Sequence, residues 1–149
     1  MKINKALINK ALELPAFSYI QRAADALHVE AYVIGGFVRD MFLGRETGSD
    51  IDIVAVGSGI ALAKKVAEFL PGKNQIQVFK NYGTAMIKFG DTQLEFVGAR
   101  KESYTSDSRN PVVENGSLED DQNRRDFTIN ALALCLNTAQ FGALLDPFN

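Results

Sequence analysis

The chain has few of the residues that most often cross-link proteins or carry acid–base chemistry. Cys135 is the only cysteine among 149 residues, which excludes an internal disulfide and favours a reducing, cytoplasmic compartment. Its apolar neighbours favour a buried, inert thiol over a reactive one. His28 is the only histidine. It falls at the end of a helical pattern, where a capping role is favoured over that of a catalytic base.

Long apolar runs and net charge are also scarce. No apolar run reaches the length of a membrane span, and lysine and asparagine residues interrupt the N-terminal segment, so neither a membrane span nor a signal peptide is predicted. The formal net charge is −2, which argues against a broad grip on a nucleic-acid backbone, because phosphate neutralisation dominates such binding. A small cationic pocket for one triphosphate remains compatible with it. Hydrophobic residues make up 46% and charged residues 23%, which predicts one soluble globular domain.

Hydrophobic periodicity predicts helices and strands in alternation. Predicted helices cover residues 3–28 with a break at Pro15, a short segment between Gly36 and Gly44, a segment from Ser58 to Pro71, and residues 118–136. Predicted strands cover residues 29–34, 50–54, 75–79, 84–89 and 92–97, with Gly90-Asp91 as a two-residue type II′ turn. Residues 100–117 are predicted to be a polar loop. We therefore expect an α/β fold, with a small mixed sheet backed by helices on one side.

Residues 33–56 combine a glycine turn with a pair of aspartates. Gly35 and Gly36 follow an apolar strand end and open a short helix, so their backbone can approach a phosphate closely. The period-two pattern of the next strand places Asp50 and Asp52 on one face, where their oxygens suit Mg²⁺. Arg39 and Arg45 bracket the helix and could clamp phosphate oxygens.

The alternative for this stretch is a helix between two turns, with both aspartates on a solvated strand face. A glycine pair or an Asp-x-Asp sequence alone is a weak signal, whereas both in this order form a much more specific one. We expect the site at the glycine turn and the sheet edge beside it. Glu95 lies on a later predicted strand, where spacing alone favours an ordinary exposed residue.

Two motifs carry a resemblance to a known family. The first comprises Gly35-Gly36-x-Val38-Arg39-Asp40, Gly44-Arg45 and Asp50-x-Asp52. It resembles the nucleotidyltransferase signature of the tRNA nucleotidyltransferase and poly(A) polymerase family, which includes the class II, bacterial-type CCA-adding enzymes. The second motif, Arg125-Asp126-Phe127-Thr128-Ile129-Asn130-Ala131, resembles the second signature of that family. Gln122 departs from it, because the family usually carries an apolar residue there.

The resemblance implies a DNA-polymerase-beta-like head domain that adds CMP and AMP from CTP and ATP to the 3′ end of tRNA. It implies Mg²⁺ as cofactor, held by Asp50 and Asp52, and Glu95 as a third active-site carboxylate. The nucleotide-binding residues implied are Gly35, Gly36, Arg39, Arg45, Asp121, Arg124, Arg125 and Asn130. Residues 1–149 would be the head domain, with neck, body and tail domains expected beyond residue 149.

The sequence motifs leave some alternative functions possible and disfavour others. A-only addition and poly(A) synthesis are activities of the same family, and the residues that choose the base are expected in the neck. A non-catalytic nucleotide-binding module is disfavoured, since a pure binder does not need two metal-binding aspartates. Transfer to a small-molecule hydroxyl is disfavoured because the second motif resembles the RNA-tailing branch. The oligomeric state is undetermined.

Overall fold

A computed structural model describes residues 5–45, 48–72, 74–103, 112–119 and 132–145. The helices in these ranges are α1 (Lys5–Ala11), α2 (Pro15–Leu27), α3 (Gly36–Phe42) and α4 (Gly59–Phe69). The strands are β1 (Ala31–Ile34), β2 (Asp50–Ala55), β3 (Ile76–Phe79), β4 (Thr84–Phe89), β5 (Thr92–Gly98), β6 (Arg100–Ser103), β7 (Val112–Asn115), β8 (Ala133–Cys135) and β9 (Leu144–Leu145). None of the helices in the described ranges has both the length and the apolar character needed to span a bilayer.

Seven of the strands form one mixed sheet in the order β3-β4-β5-β2-β1-β8-β9. The pair β2 and β5 is parallel, and the other neighbours in this sheet are antiparallel. The expected mixed sheet is therefore confirmed. Strand β2 is the fourth of seven, so a site on β2 lies on the face of the sheet rather than at one of its edge strands. Asp50 is the first residue of β2, and the expected position of the site beside the glycine turn stays a prediction.

The two faces of the sheet differ in what covers them. Helices α2 and α4 pack on one face, where Phe17, Ile20 and Leu62 join buried strand residues such as Ile53 and Phe96 in the main core. Burying each of these side chains contributes about 1.5–3 kcal/mol relative to exposure. The other face, here called the open face, carries a smaller apolar cluster around β1 and β8. Beside that cluster stand polar and charged residues of β2 and β5.

Local sequence signals account for several element boundaries. Ser58 Oγ accepts a hydrogen bond from Ala61 N at 3.0 Å, so Ser58 caps α4 as predicted. His28 ends α2 in a left-handed conformation (φ 55°). Its backbone N–H donates to two carbonyl oxygens of α2, which confirms the capping role. Gly90 has φ 61° and lies between the paired residues Phe89 and Thr92, as the predicted type II′ turn requires.

The single cysteine is buried as predicted. Cys135 lies on β8 with 3% of its surface exposed. Burial raises the pKa of the Cys135 thiol, which disfavours the reactive thiolate. The thiol is therefore part of the packing on the open face.

The prediction of a continuous loop over residues 100–117 is wrong at both ends. Residues Arg100–Ser103 and Val112–Asn115 pair as an antiparallel two-stranded sheet, with Arg100 opposite Asn115. Backbone hydrogen bonds join the two strands. Such pairing can form without alternating apolar residues, so hydrophobic periodicity did not reveal it. The adjacent β-branched residues Val112 and Val113 were the available signal.

The predicted helix over residues 118–136 is wrong at its C-terminal end. Residues 118–119 are helical, residues 120–131 lie outside the described ranges, and β8 occupies residues 133–135. Residues 132–136 are all buried, because β8 contributes side chains to both apolar clusters. A continuous apolar run suits a strand buried on both faces as well as a buried helix, so periodicity alone does not separate them.

Candidate active site

The side chain of Asp52 lies close to the backbone of the glycine turn. Gly35 joins β1 to α3 with φ 73° and ψ −143°, a conformation that glycine adopts readily and other residues rarely do. A β-carbon at Gly35 would come within 3.2 Å of Asp52 Oδ2. The absence of a side chain at Gly35 therefore lets the carboxylate of Asp52 lie directly against the turn.

Arg39 folds back toward the start of α3. A β-carbon at Gly36 would come within 3.2 Å of Arg39 Nη2, so the guanidinium lies beside the second glycine. Arg39 Nε also donates to Asp40 Oδ1 at 3.1 Å, and this ion pair restrains the arginine. The structure thus brings Gly35, Gly36, Arg39 and Asp52 together around one turn.

Arg45 lies at the other end of α3. The backbone N–H of Arg45 donates to the backbone carbonyl oxygen of Asp40 at 2.9 Å. With Lys10, Arg45 lines a cavity of about 550 Å³ whose other lining residues lie on α1, on or next to α3, and at the start of α2. The residues that line this cavity include neither Gly35 nor Gly36, and the contact of Arg45 with a triphosphate stays a prediction.

The three predicted carboxylates share the open face. Asp50 and Asp52 are exposed while Ile51 and Ile53 are buried in the core, as the alternation predicts. Asp52 is the Cα partner of Glu95 in the parallel ladder between β2 and β5. Neighbouring strands lie about 4.8 Å apart, so the side chains of these partners are adjacent.

The pKa of Glu95 responds to its burial and to the two aspartates beside it. Burial, and then the negative charges of Asp52 and Asp50, raise the pKa of Glu95. Among the described residues, no three histidine, cysteine or acidic side chains are grouped closely enough to form a preformed metal site. Mg²⁺ is usually held by one or two carboxylates and completed by waters and substrate phosphates. The exposed oxygens of Asp50 and Asp52 suit that mode of binding.

Lys88 stands on the same face and was missed by the sequence analysis. It is the Cα partner of Gln93, which is in turn the partner of Asp50. Lys88 is exposed. The alternation of β4 together with the hairpin register at Gly90-Asp91 was the signal that could have placed it. The predicted nucleotide-binding residues of the second motif lie outside the described residues; they are Asp121, Arg124, Arg125 and Asn130.

Comparison with known proteins agrees with this geometry. Residues 31–149 match the family model described as the poly A polymerase head domain. An A-adding tRNA nucleotidyltransferase of Aquifex aeolicus is 45% identical over 120 residues, covering 80% of this chain and 14% of that protein. Another, from Halalkalibacterium halodurans, is 35% identical over 148 residues, covering 99% of this chain and 34% of that protein. The chain therefore spans about a third or less of the length of these relatives.

Solved structures show the same fold. A CCA-adding enzyme with ATP superposes with a TM-score of 0.78 at 32% identity, covering 96% of this chain and 32% of that chain. A tRNA nucleotidyltransferase complexed with a primer tRNA and an incoming ATP analog gives 0.74 at 38% identity, covering 87% and 34%. The expected DNA-polymerase-beta-like head fold is confirmed. From the glycine turn, the aspartate pair and these matches together, the chain belongs to the poly A polymerase head domain family of nucleotidyltransferases.

Proposed function

We propose that this chain is the catalytic head of an RNA nucleotidyltransferase that adds CMP and AMP, from CTP and ATP, to the 3′ end of tRNA without a template. The observation that carries the proposal is the position of Asp52. Its carboxylate lies between the Gly35 backbone and the neighbouring strand residue Glu95. The backbone that we propose binds phosphate therefore lies beside the oxygens that we propose bind metal, which supports a role in phosphoryl transfer.

Each residue of the turn has a separate task in this proposal. Gly35 and Gly36 let the triphosphate approach the backbone, and Arg39 neutralises its oxygens while Asp40 restrains the guanidinium. Asp50 and Asp52 would hold Mg²⁺, with Glu95 as a third carboxylate beside them. When bound, Mg²⁺ would supply charge neutralisation at the attacking 3′-hydroxyl and at the leaving pyrophosphate, in the two-ion arrangement typical of polymerases.

The second motif completes the nucleotide site in the proposal. Arg125 would contact the incoming nucleotide, with Asp121 one helical turn earlier to orient it. Arg124 and Asn130 are its proposed neighbours. The support is the sequence resemblance, together with relatives whose structures hold CTP, ATP or a primer tRNA.

A-only addition is the second candidate function. Three curated relatives with 45%, 38% and 35% identity are named A-adding tRNA nucleotidyltransferases. CCA-adding enzymes of Geobacillus match with 36–39% identity over 121 residues. The two functions differ in their substrates. An A-adding enzyme extends tRNA ending in CC with ATP alone, whereas a CCA-adding enzyme also extends tRNA lacking all three nucleotides with CTP.

Substitution of the aspartates tests the proposal in the full-length natural protein. We expect Asp50→Asn and Asp52→Asn to lower Mg²⁺-dependent transfer to tRNA by about a hundredfold or more, with unchanged circular dichroism because both side chains are exposed. Asp91→Asn, on an exposed aspartate in the β4–β5 turn, is the matched control and should retain activity. Near-normal turnover by either site variant at ordinary Mg²⁺ would contradict the proposal. A wild-type protein that binds nucleotide and transfers nothing would support the binding-module alternative.

A further inference from the structure

The open face extends beyond the carboxylates onto β4 and β3. Alternate residues of neighbouring strands share a face, so the register defines rows that run across the sheet. One row contains Gln77, Met86, Glu95 and Asp52, and the adjacent row contains Phe79, Thr84 and Val97. Phe79 is therefore on the carboxylate-bearing face of the sheet. Its neighbours Ile76 and Val78 pack toward the helices instead.

Exposed aromatic and cationic residues lie on β3 and β4 and in the turn that joins these two strands. Phe79 is 40% exposed and Tyr82 is 71% exposed, and Lys80 lies between them in the chain. Residues 78–82 line one cavity of about 370 Å³. Lys88 lies on the same face of β4, four residues beyond Thr84 and in the row of Asp50. We call Phe79, Lys80, Tyr82 and Lys88 the aromatic–lysine patch.

The register gives the separation between this patch and the proposed site. Phe79 lies two strands and two residues from Glu95, which corresponds to roughly 12 Å between Cα atoms. Lys88 lies two strands from Asp50 in the same row, or about 10 Å. A short stretch of nucleic acid whose 3′-hydroxyl reaches Asp50 and Asp52 could therefore extend over the patch.

We propose that the aromatic–lysine patch binds the single-stranded 3′-terminal segment of the RNA substrate, with a base stacked on Phe79 or Tyr82 and phosphates beside Lys80 and Lys88. Aromatic side chains interleaved with cations are the arrangement by which proteins hold single strands without reading their sequence. A net charge of −2 offers no broad cationic surface, so a local patch is where RNA contact on the head is expected. The inference rests on the proposed function, because it gives the path of the RNA that the carboxylates act on.

Removal of the exposed ring tests the stacking. We expect Phe79→Ala to weaken binding of a fluorescent single-stranded RNA by about fivefold or more at low salt. Phe79→Leu, which keeps an apolar side chain on β3, should weaken it similarly. Phe141 is 38% exposed and lies between β8 and β9, at the opposite edge of the sheet from β3, so Phe141→Ala is the matched control and should leave the affinity unchanged.

Lysine substitutions test the phosphate contacts. Lys88→Gln should weaken RNA binding and reduce the slope of log affinity against log salt by about 0.7, the change expected for one phosphate contact on a single strand. Lys64 is an exposed lysine on α4, on the opposite side of the sheet. Lys64→Gln should leave both the affinity and the slope unchanged.

An RNA series with one abasic position, moved along its 3′-terminal nucleotides, locates the stacked base. When the abasic position is the one whose base stacks on Phe79, the interaction is already lost. That RNA should therefore bind wild type and Phe79→Ala with equal affinity. Equal RNA binding by wild type, Phe79→Ala and Phe79→Leu would overturn the inference, as would no measurable RNA binding by wild type. Self-association of wild type that Phe79→Ala abolishes, with RNA affinity unchanged, would reassign the patch to a protein interface. In each of these cases, loss of transfer in Asp52→Asn would still support the proposed function.

Discussion

The Asp52 carboxylate lies so close to Gly35 that a β-carbon on Gly35 would come within 3.2 Å of Asp52 Oδ2. The two residues belong to different elements, the β1–α3 turn and strand β2, and Asp52 is the β-ladder partner of Ile34, which precedes Gly35. The antiparallel pairing of β1 and β2 thus sets the position of the carboxylate relative to the turn. A side chain added at Gly35 would therefore push directly against the Asp52 carboxylate.

Gly35→Ala should therefore impair the site more than the fold. The substitution forces alanine into φ 73°, which costs about 1–3 kcal/mol, and it pushes against the Asp52 carboxylate. We expect transfer to fall by about tenfold or more, because small misplacements of reacting groups are costly. Gly44→Ala is the matched control: Gly44 has φ 69°, and its β-carbon would meet no other atom within 4 Å. Thermal melts and transfer assays should show destabilisation in both variants and strong loss of activity in Gly35→Ala alone.

Glu95→Gln tests the electrostatic coupling of the carboxylates. Neutralising Glu95 removes one of three neighbouring negative charges, so we expect the metal-free chain to gain about 0.2–1 kcal/mol of stability. The same change should raise the Mg²⁺ concentration needed for half-maximal transfer, since the site attracts the cation less strongly. Glu13→Gln, on an exposed glutamate near α1, should change neither quantity. If Glu95→Gln needed the same Mg²⁺ concentration as wild type, the proposed role of Glu95 beside the metal-binding aspartates would be contradicted.

The link between Asp25 and Thr138 predicts a pH-dependent contribution to stability. Thr138 donates from its side chain and its backbone to Asp25, and these bonds hold the pKa of Asp25 below its ordinary value of 3.8. A lowered pKa in the folded state contributes stability above the ordinary pKa, and that contribution is lost as the pH falls through the lowered value. Thr138→Ala should cost about 1 kcal/mol at pH 7.

Urea unfolding of Thr138→Ala and wild type between about pH 2 and pH 7 measures this contribution. The lower limit lies about two pH units below the ordinary pKa of an aspartate. The difference in the free energy of unfolding should shrink as Asp25 becomes protonated. Ser18 Oγ donates to Pro15 O at 3.0 Å, a bond with no ionisable partner, so Ser18→Ala should show a difference that does not vary with pH. A constant difference in both variants would contradict the assignment to Asp25.

Arg125 and Asp121 test the second motif, which lies outside the described residues. A charge-assisted contact contributes about 1.5–3 kcal/mol, so Arg125→Ala should weaken use of the nucleotide by roughly ten- to a hundredfold. Asp121→Ala should cost less, because in the proposal Asp121 only orients the arginine. Steady-state kinetics with CTP and with ATP measure both variants. A larger loss in Asp121→Ala would show that Asp121 itself contacts the nucleotide.

Much of the local structure around the site could be predicted from the sequence. The alternation around Asp50 and Asp52 predicted a strand with both carboxylates on its solvent face, because side chains on a strand alternate. Ser58, His28 and Gly90 marked boundaries through capping and turn chemistry, which involve only neighbouring residues. The glycine pair predicted a turn for the same reason, since the backbone conformation at Gly35 excludes most side chains.

The contacts between distant segments depended on the tertiary structure. Spacing alone favoured Glu95 as an ordinary exposed residue, and only the parallel pairing of β5 with β2 places it beside Asp52. The strand at residues 133–135 was predicted as helix, because a short apolar run suits either structure until burial on both faces of the sheet decides. Arg45 follows the short helix as predicted, and only the packing of α1 beside α3 brings it to one cavity with Lys10. Local patterns set backbone conformation residue by residue, whereas register between distant strands follows from how the whole core packs.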